Sequence, residues 1–142
     1  MPDVIGIDHI YIAVTDLQVS EAFYDVVMGT LGFRKNTFVL NEDRHVQYFN
    51  RHMGYVLRPA HAKVARNAYA TGLHHLCWRV ENANDVAEAA MQLRSRGIEV
   101  SEAKRYPEYA EDYVACFLND PDGIRLEITN YREERRARHD HW

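Results

Sequence analysis

Asp8-His9-Ile10-Tyr11-Ile12-Ala13-Val14 recurs 66 residues later as His74-His75-Leu76-Cys77-Trp78-Arg79-Val80. Both copies alternate polar and apolar positions, as a half-buried strand does. Both lead into a helix-like stretch closed by Gly and an apolar residue, Gly32-Phe33 and Gly97-Ile98. Self-similarity at about half the chain length implies two equivalent modules. It also places one His at the same point of each module, His9 and His75.

Outward from the first copy, Thr15 and Asp16 offer helix caps. Phe23, Val26, Val27 and Leu31 supply an apolar stripe, and Gly32 suits the left-handed residue at a helix end. Strand-like runs follow at Phe33–Leu40, His45–Asn50 and Gly54–Arg58, so the first module reads βαβββ. The second repeats the order. Leu76, Trp78 and Val80 form the inner face of a strand. Asn84-Asp85 opens a helix whose inner face is Val86, Ala90 and Leu93. After Gly97, a strand is expected to begin at Ile98–Val100. Tyr113–Leu118 and Ile124–Thr129 are joined by Asn119-Asp120-Pro121-Asp122-Gly123, which has strong turn chemistry. Residues 59–72 read as a linker, and the charged tail Tyr131–Trp142 as an exposed helix or frayed end.

The whole chain is consistent with one α+β domain over residues 1–142, built from modules at about 4–58 and 72–130. At 142 residues, 46% hydrophobic and 27% charged, it can bury a real core. A net charge of -4 argues against nucleic acid or an anionic membrane as partner. No apolar run is long enough for a transmembrane helix, and the N-terminus lacks a secretory pattern. Cys77 and Cys116 make a poor disulfide framework, so reduced thiols and a cytoplasmic location are expected.

Strand parity selects the chemistry. Ile10, Ile12 and Val14 face the helix, so His9 faces away; His75 does the same, and His74 faces with the core set. On the last strand Ile124, Leu126 and Ile128 are apolar, leaving Arg125, Glu127 and Thr129 on the other side. If the modules pair their sheets into a cup, His9, His75 and Glu127 converge. Two neutral imidazoles and a carboxylate suit one divalent transition metal per chain (Fe, Mn, Zn, Ni or Co) with positions open to substrate. His45, His52 and His61 have no repeat partner, and His139-Asp140-His141 sits at a terminus, so all rank below these three.

These residues resemble the vicinal oxygen chelate superfamily, which includes glyoxalase I, fosfomycin-modifying enzymes, methylmalonyl-CoA epimerase, extradiol dioxygenases and bleomycin-resistance proteins. The matching pieces are Ile7-Asp8-His9-Ile10, Asp16-Leu17, Phe23-Tyr24, Leu31-Gly32-Phe33, His75 with its strand, and Asp120-Pro121-Asp122-Gly123-Ile124-Arg125-Leu126-Glu127. The resemblance spans about residues 4–130. It implies paired βαβββ modules around a metal cup, metal-ligand roles for His9, His75 and Glu127, and a homodimer that can exchange modules.

There are departures. Glyoxalase I-like members take a fourth ligand from the last strand of the first module, where aligning the hairpins puts Arg58, which cannot ligate a metal. Extradiol and fosfomycin-modifying relatives place a Tyr ten residues before the Glu; here that residue is Phe117.

Parity also aims Tyr11, Cys77, Arg79 and Arg125 into the cup, with Arg58 beside them, a set suited to an anionic small-molecule substrate. Glu127 and Tyr113 are the candidates for catalytic duty. The expected activity is metal-dependent lyase, isomerase or thiol-transfer chemistry. The alternatives are Fe(II)-dependent ring cleavage and non-catalytic binding of a drug or metabolite.

Overall fold

A computed structural model describes all residues, Met1–Trp142. The chain divides into two compact units, Met1–Ala65 and Arg66–Trp142. The first holds β1 (His9–Val14), α1 (Leu17–Thr30), β2 (Arg34–Leu40), β3 (Asp43–Phe49) and β4 (Gly54–Pro59). The second holds β5 (His75–Val80), α2 (Ala83–Ser95), β6 (Lys104–Arg105), β7 (Val114–Asn119), β8 (Arg125–Asn130) and a tail helix α3 (Glu133–Asp140). Each module makes its own four-stranded mixed sheet, in the orders β1-β4-β3-β2 and β5-β8-β7-β6. The outer pairs β1–β4 and β5–β8 are parallel and the others antiparallel. This is the α+β, tandem βαβββ fold expected from the repeat.

The local causes repeat as well. Asp16 caps α1 by accepting from the Val19 N–H at 3.1 Å. Asn82 and Asp85 cap α2 reciprocally, which starts that helix at Ala83, just before the expected Asn84-Asp85. At the far ends, Gly32 (φ 80°) and Gly97 (φ 84°) take the left-handed conformation. They allow Phe33 N–H to reach the Met28 carbonyl at 2.9 Å, and Ile98 N–H to reach Leu93 at 3.0 Å.

Each helix packs on one face of its sheet. In the first module the core is Ile12, Val14, Tyr24, Val27, Met28, Val46, Tyr48, Tyr55 and Leu57. In the second it is Trp78, Val86, Ala89, Ala90, Leu93, Cys116, Leu118, Leu126 and Ile128. The inner face of α1 is Ser20, Tyr24, Val27 and Met28, not the expected Phe23, Val26 and Leu31, which are only half-buried. The face is rotated because Tyr24 goes inward, where its hydroxyl meets that of Tyr55 at 3.0 Å.

A second correction concerns Ile98–Val100, which is not a strand. Beyond it the Ser101 hydroxyl accepts the Phe117 N–H at 2.9 Å, taking the place of a ladder carbonyl. The strand is cut to Lys104–Arg105. The joint between β7 and β8 is stapled by Asp120, whose buried carboxylate accepts from the N–H groups of Asp122 and Ile124 at 2.9 and 2.8 Å.

Candidate functional site

Within each module the strand faces away from the helix carry the chemistry-bearing side chains. On β5 and β8, Cys77 lies opposite Glu127, and His75 opposite Arg125. The Glu127 side chain is only 5% exposed. One of its oxygens accepts the Tyr113 hydroxyl at 2.6 Å, and the other lies 3.5 Å from His75 Nε2. Phe117 stands across from Glu127 on β7, so the hydroxyl reaches the carboxylate from Tyr113, four residues earlier in the chain. Desolvation, and then the bond to Glu127, push the Tyr113 hydroxyl well above its ordinary value and keep it a donor. Cys77 is exposed on the face away from the helix. Its thiol is nonetheless held up, first by desolvation and then by the Glu127 charge, so it stays protonated.

The two repeated imidazoles are oriented alike. His9 Nδ1 lies 2.6 Å from the Asp8 carboxylate, and His75 Nδ1 lies 2.8 Å from His74 Nδ1. In each case the residue just before the His takes up one ring nitrogen, leaving Nε2 for a ligand. Asp8 and His74 are therefore orienting groups, which parity could not reveal because parity concerns faces rather than neighbours. Gly54 sits opposite His9; a Cβ there would lie 3.3 Å from His9 Cβ, so Gly leaves room for the ring. His9 and Tyr11, with Gln47, Phe49, Gly54 and Val56, line a depression of about 330 Å³ in the first module.

No three His, Cys, Asp or Glu side chains are gathered into a ready-made metal cluster. His75 and Glu127 come together in the second module; His9 belongs to the first. A larger hollow of about 590 Å³, lined by Arg105, Tyr109, Glu111, Asp112 and Glu133 among others, includes none of the candidate ligands.

The arginines differ from expectation. Pairing of Tyr11 with Val56, and of Cys77 with Glu127, makes Val56 the first-module counterpart of Glu127. Arg58 pairs with Ala13 and so corresponds to Thr129, which pairs with Arg79. The expected alignment of Arg58 with Glu127 is thus two residues out. Alternation identifies a face but not a place along it. Val56 has no donor atom, so the counterpart position still offers no ligand. The Arg58 guanidinium binds the Asp43 carboxylate and His61, itself 2.8 Å from Asp43. Arg79 lies over the Tyr131 ring at 4.1 Å, and Arg125 over Phe117 at 5.9 Å. A further cation, which the sequence reading left in the tail, stands beside the tyrosine that holds Glu127: Arg132 lies over the Tyr113 ring at 4.4 Å. It follows the end of β8, where strand parity no longer applies.

Comparison with known proteins is consistent with this fold. The profile described as Glyoxalase/Bleomycin resistance protein/Dioxygenase superfamily matches residues 6–128. No curated protein matches the chain. Among solved structures, a glyoxylase/bleomycin resistance protein/dioxygenase domain from Frankia sp. EAN1pec is similar at 19% identity and TM-score 0.74, covering 92% of this chain and 100% of that one. The genomically encoded fosfomycin resistance protein FosX from Listeria monocytogenes is similar at 15% identity and TM-score 0.67, covering 94% and 99%. Lactoylglutathione lyase from Agrobacterium tumefaciens is similar at 20% identity and TM-score 0.61, covering 91% and 94%. At these identities the structures speak for the fold, and the profile match over most of the sequence speaks for the family: the chain belongs to the glyoxalase/bleomycin resistance protein/dioxygenase superfamily.

Proposed function

We propose that the chain is a metal-dependent enzyme acting on a small, anionic substrate with two neighbouring oxygens, by lyase, isomerase or thiol-transfer chemistry. His9, His75 and Glu127 would hold one divalent ion, the set drawing on both modules from one chain or from two. The observation that carries this reading is the buried Glu127 carboxylate, with one oxygen taken by Tyr113 and the other turned toward His75 Nε2. A buried carboxylate is costly unless a cation offsets it, and the group within ion-pair reach of Glu127 is His75, at 3.5 Å, rather than a Lys or Arg. A divalent ion held by these groups would offset it and use the lone pair that His75 has left. The donor set of two nitrogens and one oxygen suits Mn, Fe, Co, Ni or Zn.

Such an ion supplies Lewis-acid polarisation of the substrate's oxygens. The remaining work falls to the chain. Tyr113 fixes the Glu127 carboxylate with its single hydroxyl proton and keeps it; turned from Glu127 toward a substrate oxygen, it would donate that same proton there instead. Arg125 and Arg132, braced on the Phe117 and Tyr113 rings, support attraction of an anionic group such as a carboxylate or phosphonate. We also propose a homodimer, because β1 and β5 stand at sheet edges, and unpaired edges invite a partner strand.

Elemental analysis of the purified chain, its His75→Ala variant and its Glu127→Gln variant tests the reading. One ion per chain is expected in the wild type and none in His75→Ala, with the fold retained. A wild type that takes up none of these metals at micromolar concentration would overturn the enzyme reading and favour a binding protein. A strict O2 requirement with Fe(II) would move the chemistry to ring cleavage.

A further inference from the structure

β2 is the outer strand of the first sheet, and one of its long sides has no neighbour. It runs unbroken for seven residues, Arg34–Leu40, and all of them except Phe38 are exposed. In the second module the same edge is β6, cut to two residues, Lys104–Arg105. Short edges discourage strand pairing, whereas a long regular one invites it. Apolar side chains also stand on the open strand: Val39 is 70% exposed and Leu40 49%.

The hairpin shows which backbone groups are free. Asn41 and Glu42 take positive φ, 51° and 70°, as a two-residue turn between Leu40 and Asp43 requires. Leu40 and Asp43 close that turn as a hydrogen-bonded pair, so Leu40, Phe38, Asn36 and Arg34 direct their N–H and C=O groups to β3. Lys35, Thr37 and Val39 direct theirs outward. Charged side chains flank the strand, Arg34 and Lys35 at one end and Glu42 and Asp43 at the other. Lys35 is held by Glu21 and Asp25, and Asp43 by Arg58 and His61. The Arg34 and Glu42 side chains, both exposed, have neither an ion pair nor a hydrogen bond. They are opposite in sign and sit at opposite ends.

We propose that β2 is a contact between two copies of this chain, paired antiparallel about a two-fold axis beside Thr37. That register matches every outward N–H and C=O group: Thr37 pairs with Thr37 of the second copy, and Lys35 with Val39. On the other face Arg34 lies across from Leu40 of the second copy, covers it with its aliphatic stem and reaches Glu42 in the turn beyond. The symmetry makes this ion pair twice, and no like charges fall opposite one another. Parallel pairing would instead set Arg34 beside Arg34. The contact uses neither β1 nor β5 and no candidate metal ligand, so it is separate from the metal reading and from a dimer through those edges.

Sedimentation equilibrium of the full chain at about 100 μM tests it, since a contact along one strand is narrow and transient. Arg34→Glu turns two attractions into two repulsions and should raise the dissociation constant at least about ten-fold. Glu42→Arg should do the same. The double variant Arg34→Glu/Glu42→Arg should return to within about three-fold of wild type. Neither side chain has a partner within the chain, so the fold is retained. Cross-linking reads the register. Thr37→Cys places its two Cα atoms about 5.5 Å apart across the axis, within disulfide reach, whereas Val39→Cys places its two about 14 Å apart. Under mild oxidation Thr37→Cys should give a covalent dimer above the wild-type background set by exposed Cys77, and Val39→Cys should not. Association unchanged in Arg34→Glu, a double variant that does not recover, or equal cross-linking of Thr37→Cys and Val39→Cys would each overturn the proposal. A wild type that stays monomeric would overturn it too and leave the edge to a strand of another protein.

Discussion

Replacing Tyr113 by Phe removes one oxygen atom and tests how the buried carboxylate is held. The Tyr113 hydroxyl is 2.6 Å from Glu127, whose side chain is 5% exposed. A hydrogen bond to a charged group contributes about 1.5–3 kcal/mol, and an acceptor left unpaired in the interior sits at the upper end. Tyr113 is itself half-buried, so water admitted after the change recovers some of that loss. The expected destabilisation is therefore about 1.5–2 kcal/mol. Urea unfolding followed by tryptophan fluorescence reads the correct module, since Trp78 is buried in its core and the other Trp, Trp142, is exposed. Tyr109→Phe, at an exposed hydroxyl in the same aromatic cluster, should cost less than about 0.5 kcal/mol. A double-mutant cycle with Glu127→Gln should return a coupling of about 1 kcal/mol or more, because each single change disturbs the same bond. If Tyr113→Phe costs no more than Tyr109→Phe and the coupling is near zero, Glu127 is not held as described. If the metal proposal is right, the same variant should also weaken metal binding by about 10–100-fold, as loss of a ligand's supporting partner does.

Glu21 accepts both Arg44 nitrogens, at 2.7 and 3.0 Å, and lies 2.7 Å from Lys35. The Arg44 hydrogen bond is the largest cause holding its carboxyl down at about 2 from an ordinary 4.5. A carboxyl depressed in the folded state stabilises the fold above its unfolded value and loses that contribution as pH falls through its folded one. The full shift corresponds to about 3 kcal/mol, but Lys35 and Arg44 are well exposed, so screening leaves about 1 kcal/mol. Glu21→Gln should therefore lower stability by that amount at pH 6, with the gap closing between about pH 4.5 and 2; a gap independent of pH in urea melts followed by circular dichroism would refute this. The cysteines should separate under iodoacetamide. Cys77 is exposed but protonated and should label slowly, whereas Cys116, fully buried with its thiol pushed up by burial to about 11, should label only on unfolding. Equal labelling rates in native protein, read by mass spectrometry, would contradict the packing.

The repeat made the architecture legible because a strand-helix unit declares itself locally. Alternation, Asp16 and Asn82 as caps, and Gly32 and Gly97 at helix ends are all short-range signals, and each module reproduces them. Parity likewise sets His9, His75 and Glu127 apart from the helix-facing positions, since a strand's period of two admits only two faces. What it could not supply was position along a face. Val56 and Arg58 share parity, and only the cross-strand pairing of Tyr11 with Val56 shows which one corresponds to Glu127.

The remaining surprises depend on partners distant in the chain. His45 ranks low in the sequence because it lacks a repeat counterpart; the rings of Tyr11 and Phe38 that meet it come from β1 and β2. Tyr113 stood among the catalytic candidates, but its contact with Glu127 was not legible, because loop geometry rather than alternation carries its hydroxyl there. Arg132 lies past the last strand, and only folding lays it on the Tyr113 ring. The sequence by itself thus determined the two-module fold and the face on which chemistry-bearing groups stand, because both follow from backbone periodicity. Tertiary structure decided register, side-chain partners and which polar atoms are left unsatisfied, because these arise from packing between segments that no local pattern encodes.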